Sequence, residues 1–286
     1  MKILAVDAYN MIHRARFGYG SGAHSVTFNF FRSLRSEIER HLPDFVYVVT
    51  EGRPLHRFAL NKDYKGNRTK LVDADFYRQK DDIFKLCRLL PLTLIRHPDY
   101  ECDDVIGHIC MTKHATDDVT VVSSDSDFIQ LLDRDNVKLW NPVKKKFIER
   151  WPVDYVVWKA LKGDPTDNIP GIRGIGEKRA FSLADNVSIL EEMLEQDESK
   201  KKIYESAYAQ IQLVDFPIDD KKIEESTYEF NEPGMHTEFL QREFKSIVGN
   251  AWVKWCLTME KLNDTIKNYP KRKSTSRLEK TRPFVR

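Results

Sequence analysis

The chain has 286 residues, of which 41% are apolar and 31% are charged, as is typical of a globular protein with one or two domains. The formal net charge is +2, but residues 261–286 carry nine basic and two acidic side chains, so that residues 1–260 have a net charge of −5. No apolar run approaches the ~18 residues of a membrane span, and the N-terminus has no secretory signal pattern, so we expect a cytoplasmic protein without a membrane partner.

Cysteine usage argues against a disulfide scaffold and against a structural zinc site. The four cysteines have neither CxxC spacing nor the density of a disulfide-stabilised protein, and their distances from nearby histidines match no common zinc finger. We interpret them as reduced thiols: Cys87, Cys102, Cys110 and Cys256.

The first 160 residues alternate between strand-like and helix-like segments. Apolar and β-branched runs predict strands at 3–6, 45–50, 92–95 and 119–123. Apolar residues at helical spacing predict helices between them at 26–42, 76–90 and 103–115. Because strands joined through helices form βαβ units, we predict an α/β fold with a mostly parallel central sheet flanked by helices.

The alternation stops near residue 150, and strand signals are weak from Val153 onward. Helical segments are predicted instead at 153–162, 176–184, 187–197, 199–212, 237–248 and 250–262. We therefore divide the chain into an α/β core over 1–160, a helical region over 161–265 and a basic, mobile tail over 266–286.

Acidic residues follow the ends of the predicted strands, and two more lie at the start of the helical region. They are Asp7, Glu51, Glu101, Asp103, Asp104, Asp125, Asp127, Asp164 and Asp167. Any one of them could simply cap a helix, but the carboxyl ends of parallel strands meet at one edge of a sheet. Carboxylates gathered there repel one another unless a cation neutralises them, and hard oxygen ligands suit Mg²⁺ or Mn²⁺. Their number exceeds the needs of one octahedral Mg²⁺, so we predict two ions, a pair that can hydrolyse a phosphodiester bond.

Residues 163–180 read GDPTDNIPGIRGIGEKRA, a Gly- and Pro-rich turn between two predicted helices. Gly171, Gly174 and Gly176 would leave unpaired backbone N–H groups at the start of the second helix, where a phosphate can bind without contacts to bases. Lys178 and Arg179 add positive charge in the first turn of that helix. An ordinary helix–turn–helix connection explains one glycine but not three at this spacing, so the segment predicts binding to a nucleic-acid backbone.

A basic cluster with one aromatic ring precedes the predicted helix at 76–90. Residues 61–70 read NKDYKGNRTK, which places Lys65 and Arg68 near Tyr64. Such a cluster suits single-stranded nucleic acid, because the ring can stack on a base while the cations contact phosphates. A solvated loop is an equally good interpretation of this composition.

Six motifs together resemble the 5′-nuclease superfamily, in particular bacteriophage flap endonucleases and the 5′–3′ exonuclease domain of bacterial DNA polymerase I. They are VDAYN at 6–10, TEG at 50–52, DYKGNR at 63–68, ECDD at 101–104, SSDSDF at 123–128 and the segment at 163–180. The resemblance covers roughly residues 1–215, and the last motif is the most specific. It implies a PIN-like 5′-nuclease core with an arch or gateway insert at about 61–90, and a helix-hairpin-helix motif at 161–184.

The resemblance also implies roles for the residues singled out above. All nine acidic residues would form a two-metal site for Mg²⁺, with Mn²⁺ able to substitute, although the family usually has Asp where this chain has Glu51. Lys65 and Arg68 would draw the scissile phosphate toward the metals, and Tyr64 would orient the substrate. The hairpin at 171–179 would grip duplex DNA and could hold a K⁺ ion on its turn carbonyls.

The function implied by the resemblance is a structure-selective 5′ nuclease in DNA replication or repair. It would remove 5′ ends and flaps at junctions of single- and double-stranded DNA, with RNA in DNA hybrids as a further substrate. A replication polymerase or a single-stranded-DNA-binding protein would be its partner, we expect a monomer, and a viral protein would act in the host cytoplasm. Two alternatives stay open, a PIN-type ribonuclease and a non-catalytic branched-DNA-binding protein; the hairpin disfavours the first and the carboxylate set the second.

Overall fold

A computed structural model describes residues 1–18, 22–68, 73–216 and 220–268. The predicted basic tail lies outside the described residues from position 269 onward, and so do positions 69–72 of the predicted insert. The strands are Lys2–Asp7 (β1), Phe45–Val49 (β2), Thr93–Arg96 (β3), Asp118–Val122 (β4), Val137–Asn141 (β5), Lys146–Ile148 (β6), Gly163–Asp164 (β7), Ile169–Pro170 (β8) and Glu224–Thr227 (β9).

The helices are Ala8–Ala15 (α1), Ser25–His41 (α2), Leu55–Leu60 (α3), Ala74–Cys87 (α4), Cys102–His108 (α5), Tyr155–Lys162 (α6), Glu177–Asp185 (α7), Val187–Glu195 (α8), Glu198–Ile211 (α9), Glu232–Gln241 (α10), Lys245–Val248 (α11) and Trp252–Lys267 (α12). A π-helical turn at Ile109–Lys113 extends α5, and 3₁₀ helices lie at Asp127–Asp133 and Asp220–Lys222. Among the described residues, the helices are all too short or too polar to cross a membrane.

The main sheet has seven strands within the described residues, in the order β6-β5-β4-β1-β2-β3-β9. The five inner strands are parallel to one another, and the two outer strands are antiparallel, which confirms the predicted mostly parallel sheet flanked by helices. In the register, Asp7 at the end of β1 pairs with Val49, and Val6 pairs with Val122. The carboxyl ends of β1, β2 and β4 are therefore level at one edge of the sheet.

Helices cover both faces of this sheet. Leu4 and Val6 of β1 pack in one core with side chains of α2 and α4, while Ile3 and Ala5 pack in a second core with side chains of α5. Successive residues of a strand point to opposite faces, so a strand that is buried on both sides needs the unbroken apolar run seen in the sequence.

The region predicted as helical packs in two separate places. Helices α6, α7 and α8 form a core of their own around Trp158, Leu161 and Leu183. By contrast, α10, α11 and α12 contribute Phe239, Ile247 and Trp255 respectively to the core that covers one face of the main sheet. The division at residue 160 and the limits of the tail stay predictions.

A strand that the weak signals after Val153 did not predict lies at Glu224–Thr227. β9 pairs antiparallel with the edge of β3, with Thr93 opposite Thr227 and their hydroxyl oxygens 2.8 Å apart. All four residues of β9 are exposed and polar, so the segment lacks the apolar signal of a strand, and its conformation depends on its partner. The prediction also omitted α1, α3, β5 and β6, as well as the two-residue ladder of β7 and β8.

Candidate active site

Two predicted carboxylates and one thiol converge at the carboxyl edge of the sheet. Ligand atoms of Asp7, Cys102 and Asp103 all lie within 4.8 Å of one another, which is the spacing of groups that could share a metal ion. Asp7 closes β1 and caps α1, accepting a hydrogen bond from the Asn10 backbone N–H at 3.0 Å. Asp103 lies in the first turn of α5, which begins after the β3 strand.

The segment after β4 brings a third carboxylate to this place. The Ser123 hydroxyl donates to Asp7 Oδ2 at 2.8 Å and accepts from the Asp125 backbone N–H at 3.1 Å, so one serine links the two strand ends. We name Asp7, Asp103 and Asp125 the central triad. Within the described ranges, none of the three forms an ion pair with a lysine or arginine, whereas the neighbouring acidic residues do.

The central triad carries the electrostatic signature of a cation site. Burial raises the pKa of Asp7, and the negative charge of Asp125 adds to that effect. Burial likewise holds the pKa of Asp103 well above its usual range, again with repulsion from Asp125 and Asp7, while the charge of Lys65 acts in the opposite direction. Close carboxylates without a counter-charge bind a divalent cation favourably, and an all-oxygen set suits a hard ion. Burial also raises the pKa of the Cys102 thiol, which stays protonated and donates to Val49 O and Asp7 Oδ1.

Glu51 stands beside the triad at the solvent side of the cleft. The residue as a whole is exposed. Even so, desolvation around its carboxyl group, with repulsion from Glu101 and Asp7, raises its pKa to about 7, while Lys65 acts in the opposite direction. Because the Glu51 carboxyl group interacts electrostatically with Asp7 and Glu101, it lies close enough to interact with a cation bound between them.

Glu101 and Asp167 form a second acidic group that basic side chains already neutralise. Lys65 Nζ lies 2.7 Å from Glu101 Oε1 and 3.8 Å from Asp167 Oδ2, and the half-exposed Arg68 guanidinium pairs with Asp167. The Lys65 backbone has a φ of 55° and donates its N–H to Asp167 O at 2.9 Å. The predicted cationic pair of the insert is thus held directly against the acidic site.

The predicted role of Tyr64 in contacting DNA is not compatible with its position. Its side chain is only 4% exposed and packs against Ala160, Ile169 and Ala207, so the ring cannot stack on a base. The hydroxyl donates to Glu101 at 2.9 Å and approaches Asp167 at 3.3 Å. Tyr64 therefore positions these two carboxylates instead of contacting the substrate.

Asp104 does not join the other carboxylates, contrary to the prediction that it ligates a metal. It is fully buried, and its two oxygens accept from both terminal nitrogens of Arg57 and from the Val214 backbone N–H at 3.0 Å. Arg57 also donates from Nη1 to Glu101 at 3.1 Å and from Nε to Gln210 O at 2.8 Å. The Arg57–Asp104 pair ties α3 and the end of α9 to the start of α5, and through Glu101 it supports the site.

A third acidic group surrounds the ammonium group of Lys159 on α6. Lys159 Nζ lies 2.8 Å from Asp164 Oδ2 and also contacts Asp127 Oδ1, while the Tyr155 hydroxyl approaches Asp127 at 3.4 Å. Burial raises the pKa of Asp127 to about 6 although Lys159 opposes that shift. The pKa of Asp164 is lowered despite desolvation, because Lys159 donates to it. Both predicted ligands therefore lie together, with a lysine between them.

The turn between α6 and α7 has a buried side and an open side. Ile172 and Ile175 are buried in the core of α6, α7 and α8, whereas Gly174, with a φ of 83°, is exposed between them. Gly176 precedes α7 without a side-chain cap, so the first N–H groups of that helix have no intrahelical acceptor. Lys178 and Arg179 are exposed in its first turn, and their contact with phosphate stays a prediction.

Gly171 is required for a different reason, because it lies against the end of α6. A Cβ atom at this position would be 2.2 Å from the carbonyl carbon and oxygen of Lys162. Its contact keeps the turn close to α6, while Gly174 provides the left-handed backbone that the open side needs.

Four residues with contacts in the site were missed as functional candidates. Arg57 and Lys159 supply the missing counter-charges, and Ser123 and Cys102 donate to Asp7. Lys159 gave the clearest signal, since it interrupts the apolar residues of a short predicted helix. Arg57 gave none, because its partners lie 47 and 153 residues away in the chain.

The raised pKa values predict that the stabilising effect of a divalent ion depends on pH. A carboxyl group whose folded pKa lies above its unfolded value stabilises the fold at low pH, and this contribution is lost as the pH rises through the folded value, here about 7 for Glu51. Burial and, to a lesser extent, repulsion between the carboxylates cause this loss, and a bound divalent cation would offset it by favouring the ionised carboxylates. We expect Mg²⁺ to raise the melting temperature more at about pH 8 than at about pH 5.5.

Thermal unfolding with EDTA or with Mg²⁺ at both pH values measures this difference. Asp103→Asn removes one member of the central triad and is expected to abolish most of the pH dependence of the metal effect. An equal metal-induced shift at both pH values would mean that these carboxyl groups do not bind the ion.

A mostly parallel sheet with acidic residues at its carboxyl edge, followed by helices joined through a Gly-rich turn, defines the PIN-like 5′-nuclease class of fold. Residues 2–159 match the family model of the 5′–3′ exonuclease N-terminal, resolvase-like domain, and residues 150–216 match that of the 5′–3′ exonuclease C-terminal SAM fold. The chain belongs to the 5′–3′ exonuclease family.

Individual relatives agree with this assignment. The chain is 29% identical over 282 residues to DNA polymerase I of Caldicellulosiruptor bescii, a match that covers 87% of this chain and 33% of the relative. The chain therefore spans about a third of the length of that curated relative.

Solved structures share the fold at low sequence identity. The bacteriophage T5 D15 flap endonuclease, crystallised with DNA and metal ions, matches with a TM-score of 0.62 at 19% identity, covering 93% of this chain and all of that one. Flap endonuclease-1 from Methanococcus jannaschii matches with a TM-score of 0.59 at 16% identity, covering 93% of each chain.

Proposed function

We propose that this chain is a divalent-metal-dependent 5′ nuclease that hydrolyses DNA phosphodiester bonds at 5′ ends and flaps and leaves 5′-phosphate products. The observation that carries the proposal is the central triad, three carboxylates that form no direct ion pair with a lysine or arginine among the described residues and that lie beside the cationic Lys65 and Arg68. The family assignment and the DNA- and metal-bound T5 structure support both DNA binding and the use of a divalent metal.

The residues present fit two Mg²⁺ ions, with Mn²⁺ able to replace them. The central triad would hold the first ion, and Asp127 with Asp164 would hold the second. When bound, such a pair of ions supplies an activated water and stabilises the leaving oxygen of the phosphodiester. Glu51 would add negative charge at the solvent side of the metal site, since its carboxyl group interacts electrostatically with Glu101 and Asp7.

The side chains of the insert would hold the scissile phosphate. Lys65 and Arg68 can exchange their contacts with Glu101 and Asp167 for contacts with a phosphate, because Arg68 is half-exposed and Lys65 borders the open cleft. Positive charge fixed at this place stabilises the negative charge that develops on the phosphate oxygens. Tyr64 and Arg57 keep Glu101 in position while this exchange occurs.

Cleavage of a 5′-flap DNA substrate tests the proposal directly. We expect release of the flap in the presence of Mg²⁺, none with EDTA, and slower cleavage of a matched RNA flap. Preferential cleavage of the RNA would favour the PIN-type ribonuclease, and tight junction binding without metal-dependent cleavage would favour the non-catalytic DNA-binding protein.

The hairpin is expected to bind the duplex backbone without reading its sequence. We predict that Lys178→Ala with Arg179→Ala weakens duplex affinity and makes the slope of log K against log salt shallower by about 1.8, since each phosphate contact contributes about 0.9. A K⁺ ion on the turn carbonyls would strengthen this grip and make duplex affinity depend on K⁺.

Fluorescence anisotropy of labelled duplex in EDTA across a salt series measures the slope. The control is Lys245→Ala with Lys254→Ala, which removes two exposed charges from α11 and α12. If the hairpin variant and the control have the same slope as the wild type, the hairpin does not contact phosphates.

The biological setting follows from the same proposal. A DNA 5′ nuclease in replication or repair would act beside a polymerase or a single-stranded-DNA-binding protein. A cytoplasmic location and a monomeric state are parts of this proposal, and size-exclusion chromatography with light scattering would test the latter.

A further inference from the structure

A buried ammonium group lies between the two carboxylates assigned above to the second ion. The Lys159 side chain is 9% exposed, and its Nζ atom contacts Asp127 Oδ1 and lies 2.8 Å from Asp164 Oδ2. Asp127 begins the 3₁₀ helix that follows β4, and Asp164 ends the two-residue strand β7 after α6. The lysine ammonium group is strongly hydrated and costly to bury, so its position here reflects its strong attraction to both acids.

The two halves of the acidic site differ in how their charge is balanced. The central triad forms no ion pair with a lysine or arginine among the described residues, whereas Asp127 and Asp164 share the single charge of Lys159. A cation can therefore enter the first half without removing a protein group. In the second half, the ammonium group occupies the position between the two oxygens that a shared divalent ion would need.

We propose that the Lys159 ammonium group occupies the binding position of the second divalent ion, and that this ion binds only by displacing the ammonium group. The inference rests on the proposed two-ion function and adds to it an order of binding and a residue that controls it. The long, flexible side chain of lysine allows the displacement, because its amine can move while its methylene groups remain packed. The central triad would fill first, and occupancy of the second position would depend on the release of Lys159.

A purely structural role for Lys159 makes a different prediction. In that case the ion pair would only fasten α6 and the start of the hairpin to the end of β4, and its removal would destabilise the protein equally with and without metal. Metal binding then would not respond to the charge at position 159. The two interpretations therefore differ in the binding isotherm, without any need to measure cleavage.

The experiment is a titration of the metal-free full-length chain with Mn²⁺ in the absence of DNA, with free Mn²⁺ measured by electron paramagnetic resonance. We expect one tight and one weak site in the wild type, and at least about tenfold tighter binding at the weak site in Lys159→Met, because the competing charge is gone. The matched control is Lys162→Met. Lys162 lies on the same helix, but its ammonium group lies over the Trp158 ring and contacts neither Asp127 nor Asp164.

The outcomes separate the inference from the function on which it rests. Two Mn²⁺ sites with the same affinities in wild type, Lys159→Met and Lys162→Met would overturn the displacement model and leave the nuclease proposal intact. Failure of the wild type to bind any Mn²⁺ would instead contradict the proposed function itself.

A second measurement uses the wild-type chain and does not depend on whether the variant folds. Limited acetylation followed by peptide mass spectrometry reports how accessible each lysine amine is. We expect saturating Mn²⁺ to increase labelling of Lys159 severalfold and to leave Lys162 unchanged. Unchanged labelling of Lys159 at a Mn²⁺ concentration that fills both sites would show that the ammonium group stays in place, which would overturn the inference.

Discussion

Asp103→Asn is expected to lower the rate of 5′-flap cleavage by about a thousandfold, equivalent to ~4 kcal/mol of transition-state stabilisation, while the metal-free protein becomes no less stable. Asp103 belongs to the central triad, where burial and the charges of Asp125 and Asp7 hold its pKa well above the usual range. Removing its charge relieves that repulsion, but it also removes an oxygen that the cation needs. Single-turnover cleavage in Mg²⁺ and chemical denaturation in EDTA measure the two effects.

The neighbouring residue provides a matched control with the opposite expectation. Asp104→Asn removes one partner of the buried pair with Arg57, which is expected to lower the free energy of unfolding by about 3–5 kcal/mol. Arg57→Met should have a similar cost, because it leaves Asp104 buried without its counter-charge. If Asp104→Asn lost activity like Asp103→Asn but kept full stability, the assignment of Asp104 to a structural ion pair would be wrong.

Lys65→Ala is expected to lower the single-turnover rate by about a hundredfold and to change duplex affinity much less. The Lys65 ammonium group is within 2.7 Å of Glu101 and is one of the two cations that border the central triad, so its charge acts where the phosphate would react. In the proposed function, duplex affinity depends mainly on the hairpin that follows α6, where Lys178 and Arg179 are exposed. Rates at saturating enzyme, compared with anisotropy of the same substrate, separate the two effects.

Lys62→Ala is the control for the charge of the insert as a whole. Lys62 is exposed in the same segment and, within the described ranges, forms no ion pair with the acidic site. The Lys62→Ala substitution should leave the single-turnover rate within about twofold of the wild type. Equal losses in both variants would assign the effect to the general charge of the insert, and an unchanged rate in Lys65→Ala would exclude the residue from the reaction.

Two carboxylates of the central triad, Asp7 and Asp125, could be predicted because each follows an apolar run. Asp7 and Asp125 come directly after buried strands, and the parallel topology that brings such positions together follows from the alternation of strands and helices. The hairpin was predictable for the same kind of reason, since its glycines and flanking basic residues are all within one short segment.

Asp103 and Asp104 show the limit of that reasoning. Adjacent residues on a helix point about 100° apart, so one of the pair can face the cleft while the other faces the interior. Which one does so depends on where Arg57 and the end of α9 pack against α5, and these partners are distant in sequence. Tyr64 is a similar case. The composition of the segment at 61–70 suggested an exposed ring, but contacts of Tyr64 with α6 and α9 bury it.

By itself, the sequence determined the alternation of strands and helices in the core, the acidic residues near the strand ends and the Gly-rich turn with its basic residues, because each of these depends on residues close together in the chain. Only the tertiary structure decided how charge is distributed among the nine carboxylates. The basic partners of Glu101, Asp104, Asp127 and Asp167 come from α3, the insert and α6, whereas the central triad forms no direct ion pair with a lysine or arginine in the part of the chain that the structure describes. Coulomb interactions depend on distance in space, and separation along the chain does not specify that distance.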